Sequence, residues 1–290
     1  MGESRGKEMQ EQASGGSAAS VGPFAETHRS FVNTWECDDN DHLNVQFYFK
    51  RFDEAARLFA GMRGGRIDGP LPATRHVRFH AELRAGTITR TRSGVIADGP
   101  FAGHSVHLLD NLLTGKLAAS ALDAPCQGIP TGFEVQAVAA QNAVPRGLEV
   151  GVAMPIPGEE MLARGGLISQ RTIVAPAECD AAGDFLEQFY IGRFTDAAPH
   201  VWERAGVGIA LLQARNIGRV ALEMKITHHM PARAGEGLVL YSLPLRPGGK
   251  TLHLRHELVR LGDGKPIATG EVVAILLDLS TRRTVPLPSD

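Results

Sequence analysis

Apolar residues at Val45, Phe49, Phe52, Ala56 and Phe59 fall four and three positions apart, the spacing of one buried helix stripe. Asn44, just ahead of the stripe, suits a cap because its side-chain oxygen accepts from an open first-turn N–H. Gly61, Gly64 and Gly65 mark the stop. Upstream, Phe31 and Val32 read as a short strand. Downstream, short β-rich runs at 87–91, 94–97, 105–109 and 116–122 are separated by Gly-containing turns. The scheme then returns. A second helix is expected over 187–204, with Ile191, Phe194, Ala198 and Val201 as its stripe and Pro199 as an interruption that kinks it. Strands follow at 221–227, 237–244, 251–261 and 267–279, with hairpin turns at Gly248-Gly249 and Asp263-Gly264. One long helix followed by several antiparallel strands is an α+β pattern.

The two schemes are copies of one another. Residues 36–56 align without a gap to 178–198, 142 positions later, and ten of the 21 pairs are identical, among them Glu36/Glu178, Cys37/Cys179, Asp38/Asp180, Tyr48/Tyr190 and Arg51/Arg193. At an offset of 149, His80, Arg84 and Gly86 match His229, Arg233 and Gly235, and His107, Leu109, Gly115 and Ala119 match His256, Leu258, Gly264 and Ala268. The expected organisation is a tail at 1–23, a first domain at 24–123, a Pro- and Gly-rich connector at 124–164 that holds a strand of its own, and a second domain at 165–290.

Composition narrows this little. The 290 residues, 43% hydrophobic and 21% charged, suffice for one or two ordinary cores. A net charge of −2 gives no overall pull toward nucleic acid or an anionic membrane. No run of about 18 apolar residues is present, and the Gly-, Ser- and Glu-rich residues 1–23 read as disordered rather than as a signal peptide. Three cysteines without C-x-x-C spacing argue against a structural zinc site. No metal or cofactor is expected, and an intracellular, cytoplasmic protein is the default.

Asp38-x-Asn40-x-His42-x-Asn44 ahead of the first helix resembles the hotdog-fold acyl thioesterases, in particular the acyl-ACP and acyl-CoA branch. Cys37-Asp38 with Phe52-Asp53-x-Ala55 is also similar to the 4-hydroxybenzoyl-CoA thioesterase group, which would place the catalytic aspartate at Asp38. The ending 273–288, with Asp278, Arg282 and Arg283, is similar to the last strand and tail of such enzymes. The resemblance implies two tandem hotdog domains, each a helix wrapped by an antiparallel sheet, paired within the chain as a pseudo-dimer with its site at the pairing interface. It implies an acyl-CoA or acyl-ACP substrate. Whether the pseudo-dimers associate further stays open.

Thioester hydrolysis needs an activated water or a nucleophile and donors for the oxyanion. Asp38 is the expected base or nucleophile, His42 the residue that orients water or relays a proton, and Asn40 and Asn44 the fixers of carboxylate or substrate. Open N–H groups around Gln46, Phe47 and Tyr48 are candidates for the thioester oxygen, and these three with His80 make up the expected substrate contacts. A cap needs one polar residue and not four, which separates this cluster from ordinary capping. The second copy keeps Asp180 but has Ala182, Asp184 and Leu186 where the first has Asn40, His42 and Asn44, so it reads as a degenerate site. Histidines kept in both copies favour structural roles. Arg84 and Arg233 read as solvated turn residues, and Cys37 and Cys179 as small buried ones. A hydratase on enoyl or hydroxyacyl thioesters and a non-catalytic acyl-CoA binder are the alternatives. The hydratase reading lacks the Asn-Pro such motifs carry.

Overall fold

A computed structural model describes residues 24–130, 132–245 and 249–288. The expected tail at 1–23 and Gly248 of the expected Gly248-Gly249 turn lie outside the described residues. The first unit runs β1 (Ala25–Phe31), α1 (Val45–Met62), β2 (Thr74–Phe79), β3 (Ile88–Ile96), β4 (Ser105–Asn111) and β5 (Lys116–Asp123). The connecting stretch contains β6 (Glu134–Val135), a 3-10 helix (Ala137–Ala143) and α2 (Gly158–Ala163). The second unit is β7 (Leu167–Ile173), α3 (Glu187–Arg204), α4 (Ile209–Arg215), β8 (Ile217–His228), β9 (Gly237–Leu245), β10 (Thr251–Arg260), β11 (Pro266–Asp278) and β12 (Arg283–Val285).

Asn44 caps α1 as expected, its side chain accepting from Gln46 N–H. Phe49, Phe52 and Phe59 are fully buried, whereas Val45 and Ala56 at the margins of the stripe are half-buried. Pro199 does not interrupt α3, which is one element from Glu187 to Arg204. The proline faces solvent, and the buried Ile191, Phe194 and Val201 hold the helix on the core through the missing bond. The runs at 87–91 and 94–97 form one strand, β3. Gly94 within it gives room for the connector: a Cβ there would lie 2.6 Å from Val135 Cγ1 of β6, the short strand that pairs with β3.

The strands form one sheet in the order β1-β3-β4-β5-β2-β8-β11-β10-β9-β7, with β6 and β12 attached at β3 and β11. Each half of this order repeats the other about the seam between β2 and β8, which pair antiparallel from Thr74↔Thr227 to Arg78↔Glu223. This is the expected architecture: two hotdog units, each with its helix against its own half of a shared sheet. The helices meet where Gly192 of α3 has no side chain, and Gln46 Oε1 lies 3.0 Å from where a Cβ there would be. No helix among the described residues is long and apolar enough to cross a membrane.

Several residues identical in the copies have structural work. Arg51 binds Glu36, and Arg193 binds Glu178 in the same way. Cys37 and Cys179 are half-buried rather than buried, each thiol directed at a backbone carbonyl four residues earlier, Asn33 and Ala175. His107 Nδ1 contacts Ser93 Oγ and His256 Nδ1 contacts Ser242 Oγ, both at 2.7 Å.

Near the seam, a buried cluster joins charges of both units around Arg75. Arg75 of β2 donates in bidentate fashion to Asp123 of β5 and also reaches Glu187 at the start of α3. At the matching positions the second copy has the apolar Met224 and Val272. Burial works against the charge of Asp123, but the Arg75 guanidinium holds its carboxyl far below the usual range. Burial pushes the Glu187 carboxyl up to about 8. The charges agree with that: Asp123 and Asp53 already balance Arg75 and Arg57, so a third carboxylate is best neutral.

Candidate active site between the two units

The stretch from Asp38 to His42 is a closed loop built on one carboxylate. Asp38 Oδ1 accepts from the N–H groups of Asn40 (2.9 Å) and His42 (3.3 Å), and Asp38 N–H donates to His42 O (2.8 Å). Asp180 makes the same loop, accepting from Ala182 (2.9 Å) and Asp184 (3.1 Å). That shared bond pattern accounts for an aspartate in both copies. It also fixes Asp38 so that Oδ2, for which no partner is present among the described residues, is left for other work. Leu43 N–H to Leu83 O ties the loop to the chain beyond β2 (2.8 Å), as Phe185 N–H to Ala232 O does in the second copy (2.9 Å).

A cavity of about 520 Å³ opens beside this loop. Asp38, Asn40, His42, Tyr48, His80 and Glu82 line one side. The other wall is the second unit: Gly218 to Leu222 of β8 and Ile275 and Leu277 of β11, with Arg282 beyond. The site therefore lies across the pairing of the two units. Five of the residues expected from sequence share this cavity: Asp38, Asn40, His42, Tyr48 and His80. Asn44, Gln46 and Phe47 do not line it. Asn44 spends its side chain on the cap and its N–H on Glu36 O (2.9 Å), and Gln46 packs on α3. Two of the three first-turn amides counted as open are already engaged, Gln46 N–H by Asn44 Oδ1 (3.1 Å) and Phe47 N–H by Asn44 O (2.9 Å).

His42 is held by two residues of opposite charge. Its Nε2 lies 3.1 Å from Glu82 Oε2 and 2.9 Å from Arg84 Nη2. A protonated Nε2 donates to Glu82, and an unprotonated one accepts from Arg84, so the site serves either form. Arg84 is thus a partner of His42 and not merely a solvated turn residue. Arg282 pairs with Glu82 from across the interface, and Arg219 approaches Asp39 at 3.9 Å. Burial, with Arg78 and Arg146 nearby, lowers His80 to about 4 and keeps it neutral, its Nε2 2.9 Å from Ser120 Oγ. His229 makes the matching contact with Thr269 (2.9 Å). Burial raises the phenol of Tyr48, so it stays protonated.

At the matching place in the second copy, Asp184 stands for His42 and Pro231 for Glu82, and Asp184 pairs with Arg233 at 3.1 Å. An ion pair closes what in the first copy is a histidine between a carboxylate and a guanidinium. Glu82 was not singled out from the sequence, although the same comparison would have found it: a charged residue in one copy facing a proline in the other. The β8 wall was missed because its strand was expected to begin at 221 and begins at Ile217. Among the described residues no group of three or more His, Cys, Asp or Glu side chains is placed to hold a metal ion.

Comparison with known proteins agrees with this architecture. Residues 174–290 match the family model described as Thioesterase-like superfamily. No curated protein matches the sequence. Among solved structures, an acyl-ACP thioesterase from Bacteroides thetaiotaomicron is 11% identical with a TM-score of 0.59, over 87% of this chain and 98% of that one. The 12:0-ACP thioesterase from Umbellularia californica is 9% identical with a TM-score of 0.56, over 88% of this chain and 94% of that one. The second half thus carries a thioesterase-like sequence signature. Most of the chain shares the double hotdog fold of these structures.

Proposed function

We propose that the chain hydrolyses an acyl thioester, with acyl-CoA as the substrate, in the cavity between the Asp38 loop and strands β8 and β11. The observation that carries this reading is the asymmetry of the copies. Asp38, Asn40, His42 and Glu82 converge on one interfacial cavity, while the repeat retains the aspartate alone and replaces the other three by Ala182, Asp184 and Pro231. A purely structural loop needs only what both copies keep.

In this mechanism Asp38 takes a proton from water through Oδ2, and the water oxygen attacks the thioester carbonyl carbon. The tetrahedral oxyanion collapses, the C–S bond breaks, and the thiolate takes a proton from protonated His42 Nε2, which Glu82 holds in place. The proton that Asp38 took from water then returns to His42, and the product acid releases its own to solvent. Direct attack by Asp38 on the carbonyl, followed by hydrolysis of the resulting anhydride, uses the same groups. The apolar wall of Leu222, Ile275 and Leu277 receives the acyl group. Arg219 and Arg282 stand at the side from which an anionic carrier would enter.

The test is release of free thiol from a panel of acyl-CoAs by wild type and Asp38→Asn. Turnover in wild type and a loss of at least about a hundredfold in a folded variant are expected. Equal turnover in the two proteins, or no thiol release from any acyl-CoA, would overturn the proposal.

A further inference from the structure

The first unit contains a second cavity, of about 550 Å³, that shares no lining residue with the one beside Asp38. It lies at the far end of α1, between that helix, strands β4 and β5 and the start of the connector. Ala56, Phe59, Ala60 and Leu71 form apolar walls, and His107 and Asp123 form a polar floor. Both floor residues are almost wholly buried.

The repeat shows that this space is not dictated by the fold. At the 142-residue offset Ala60 matches Trp202 and Gly65 matches Val207, and both of those larger side chains are buried in the main core. At the 149-residue offset Asp123 matches Val272. His256 of the second copy stacks on Phe194, with ring centroids 5.2 Å apart. His107 instead lines the cavity, its buried Nε2 lying 3.3 Å from Asp123 Oδ2 without a hydrogen bond of acceptable geometry. One copy is filled and apolar. The other is hollowed by two small residues and lined at its base by an imidazole and a carboxylate. Its volume lies in the range of small-molecule sites.

We infer that the first unit holds a second ligand site, for a neutral apolar molecule that ends in a hydroxyl group. A hydroxyl both donates and accepts, so it is served by Asp123 as acceptor and by His107 Nε2 in either tautomer. A carboxylate at the floor is disfavoured, because it would meet Asp123, whose charge Arg75 already matches, while Arg63 and Arg66, which also line the cavity, are engaged by Pro130 O and Asp68. A plain hydrocarbon leaves the floor unpaired. Neither the Asp38 loop nor the Asp180 loop lines this cavity, so this site binds and does not hydrolyse.

The experiment titrates the full chain with 4-propylphenol, propylbenzene and 4-propylbenzoate by calorimetry, and repeats the phenol with Ala60→Trp and the milder Ala60→Leu. The phenol is expected to bind at least about tenfold more tightly than the other two, since one satisfied buried polar pair is worth that much. Ala60→Trp, which installs the side chain that the repeat carries, is expected to abolish binding, and Ala60→Leu to weaken it, with melting temperature and thiol release at the Asp38 site kept. Absence of phenol binding, benzoate binding as tight as phenol, or phenol binding unchanged in both folded variants would each overturn the inference. The readout is binding, so it stands or falls separately from turnover of thioesters.

Discussion

Asp38 and Asp180 do the same structural work, and this makes a quantitative separation of structure from chemistry feasible. Asparagine in either place keeps an oxygen acceptor for the two loop N–H groups and removes the charge. A hydrogen bond to a charged group contributes about 1.5–3 kcal/mol, against about 0.5–1.5 for a neutral one. In each loop one of the two bonds is short, 2.9 Å, and the other longer, 3.3 Å for Asp38 and 3.1 Å for Asp180. Both aspartates are half-exposed, so water offsets part of the loss. The expected destabilisation is about 1 kcal/mol for Asp38→Asn and about the same for Asp180→Asn, or a melting temperature lower by about 2–4 °C in a chain of this size. Thermal unfolding by circular dichroism measures this term, and thiol release under conditions where each variant is folded measures the other. Matched stability losses with turnover lost only in Asp38→Asn are the predicted pattern. If Asp180→Asn removes turnover equally, or if Asp38→Asn loses turnover only in proportion to its unfolded fraction, Asp38 is a loop closure and the chemical reasoning fails.

The Glu36–Arg51 pair is almost fully buried, and Arg51 also donates to the carbonyls of Phe47 and Phe31, so Arg51→Ala is expected to cost about 3–5 kcal/mol, read by urea unfolding; a cost below about 1 kcal/mol would contradict it. Glu187, buried and shifted from 4.5 to about 8, keeps its proton in the folded chain where the unfolded chain has released it. Stability therefore falls as pH rises from about 4.5 to 8, by up to about 1.4 kcal/mol per unit. Glu187→Gln removes that component, so its stability relative to wild type should grow across this window; a constant difference from pH 5 to 8 would refute the assignment.

Much of the fold was legible because hydrophobic spacing and the repeat support one another. The second helix was expected over 187–204 and occupies those residues, because Ile191, Phe194 and Val201 fix one face whatever Pro199 does. The connector was opaque for the opposite reason. Its residues are placed by contacts distant in sequence, such as Val135 against Gly94 and the backbone of Arg146 and Gly147 on Glu223. At the site, the polar cluster stood out because it is local and one copy lacks it. What it faces did not, since β8 reaches the cavity only through strand pairing about 150 residues away. Asn44 shows the limit of counting polar residues: four lie together, and the structure gives one of them to the cap.

Joining the two copies in one chain also changes what evolution can do with them. In a symmetric homodimer every substitution occurs twice, so a tryptophan that fills one cavity fills both. Here the seam between β2 and β8 holds the halves together as such a dimer would, yet Ala60 and Trp202 answer to separate codons. One half is free to become solid scaffold while the other keeps an opening and the polar loop at Asp38. The tether also keeps the partner at a fixed, high local concentration at any expression level. The division of labour between the halves is therefore heritable.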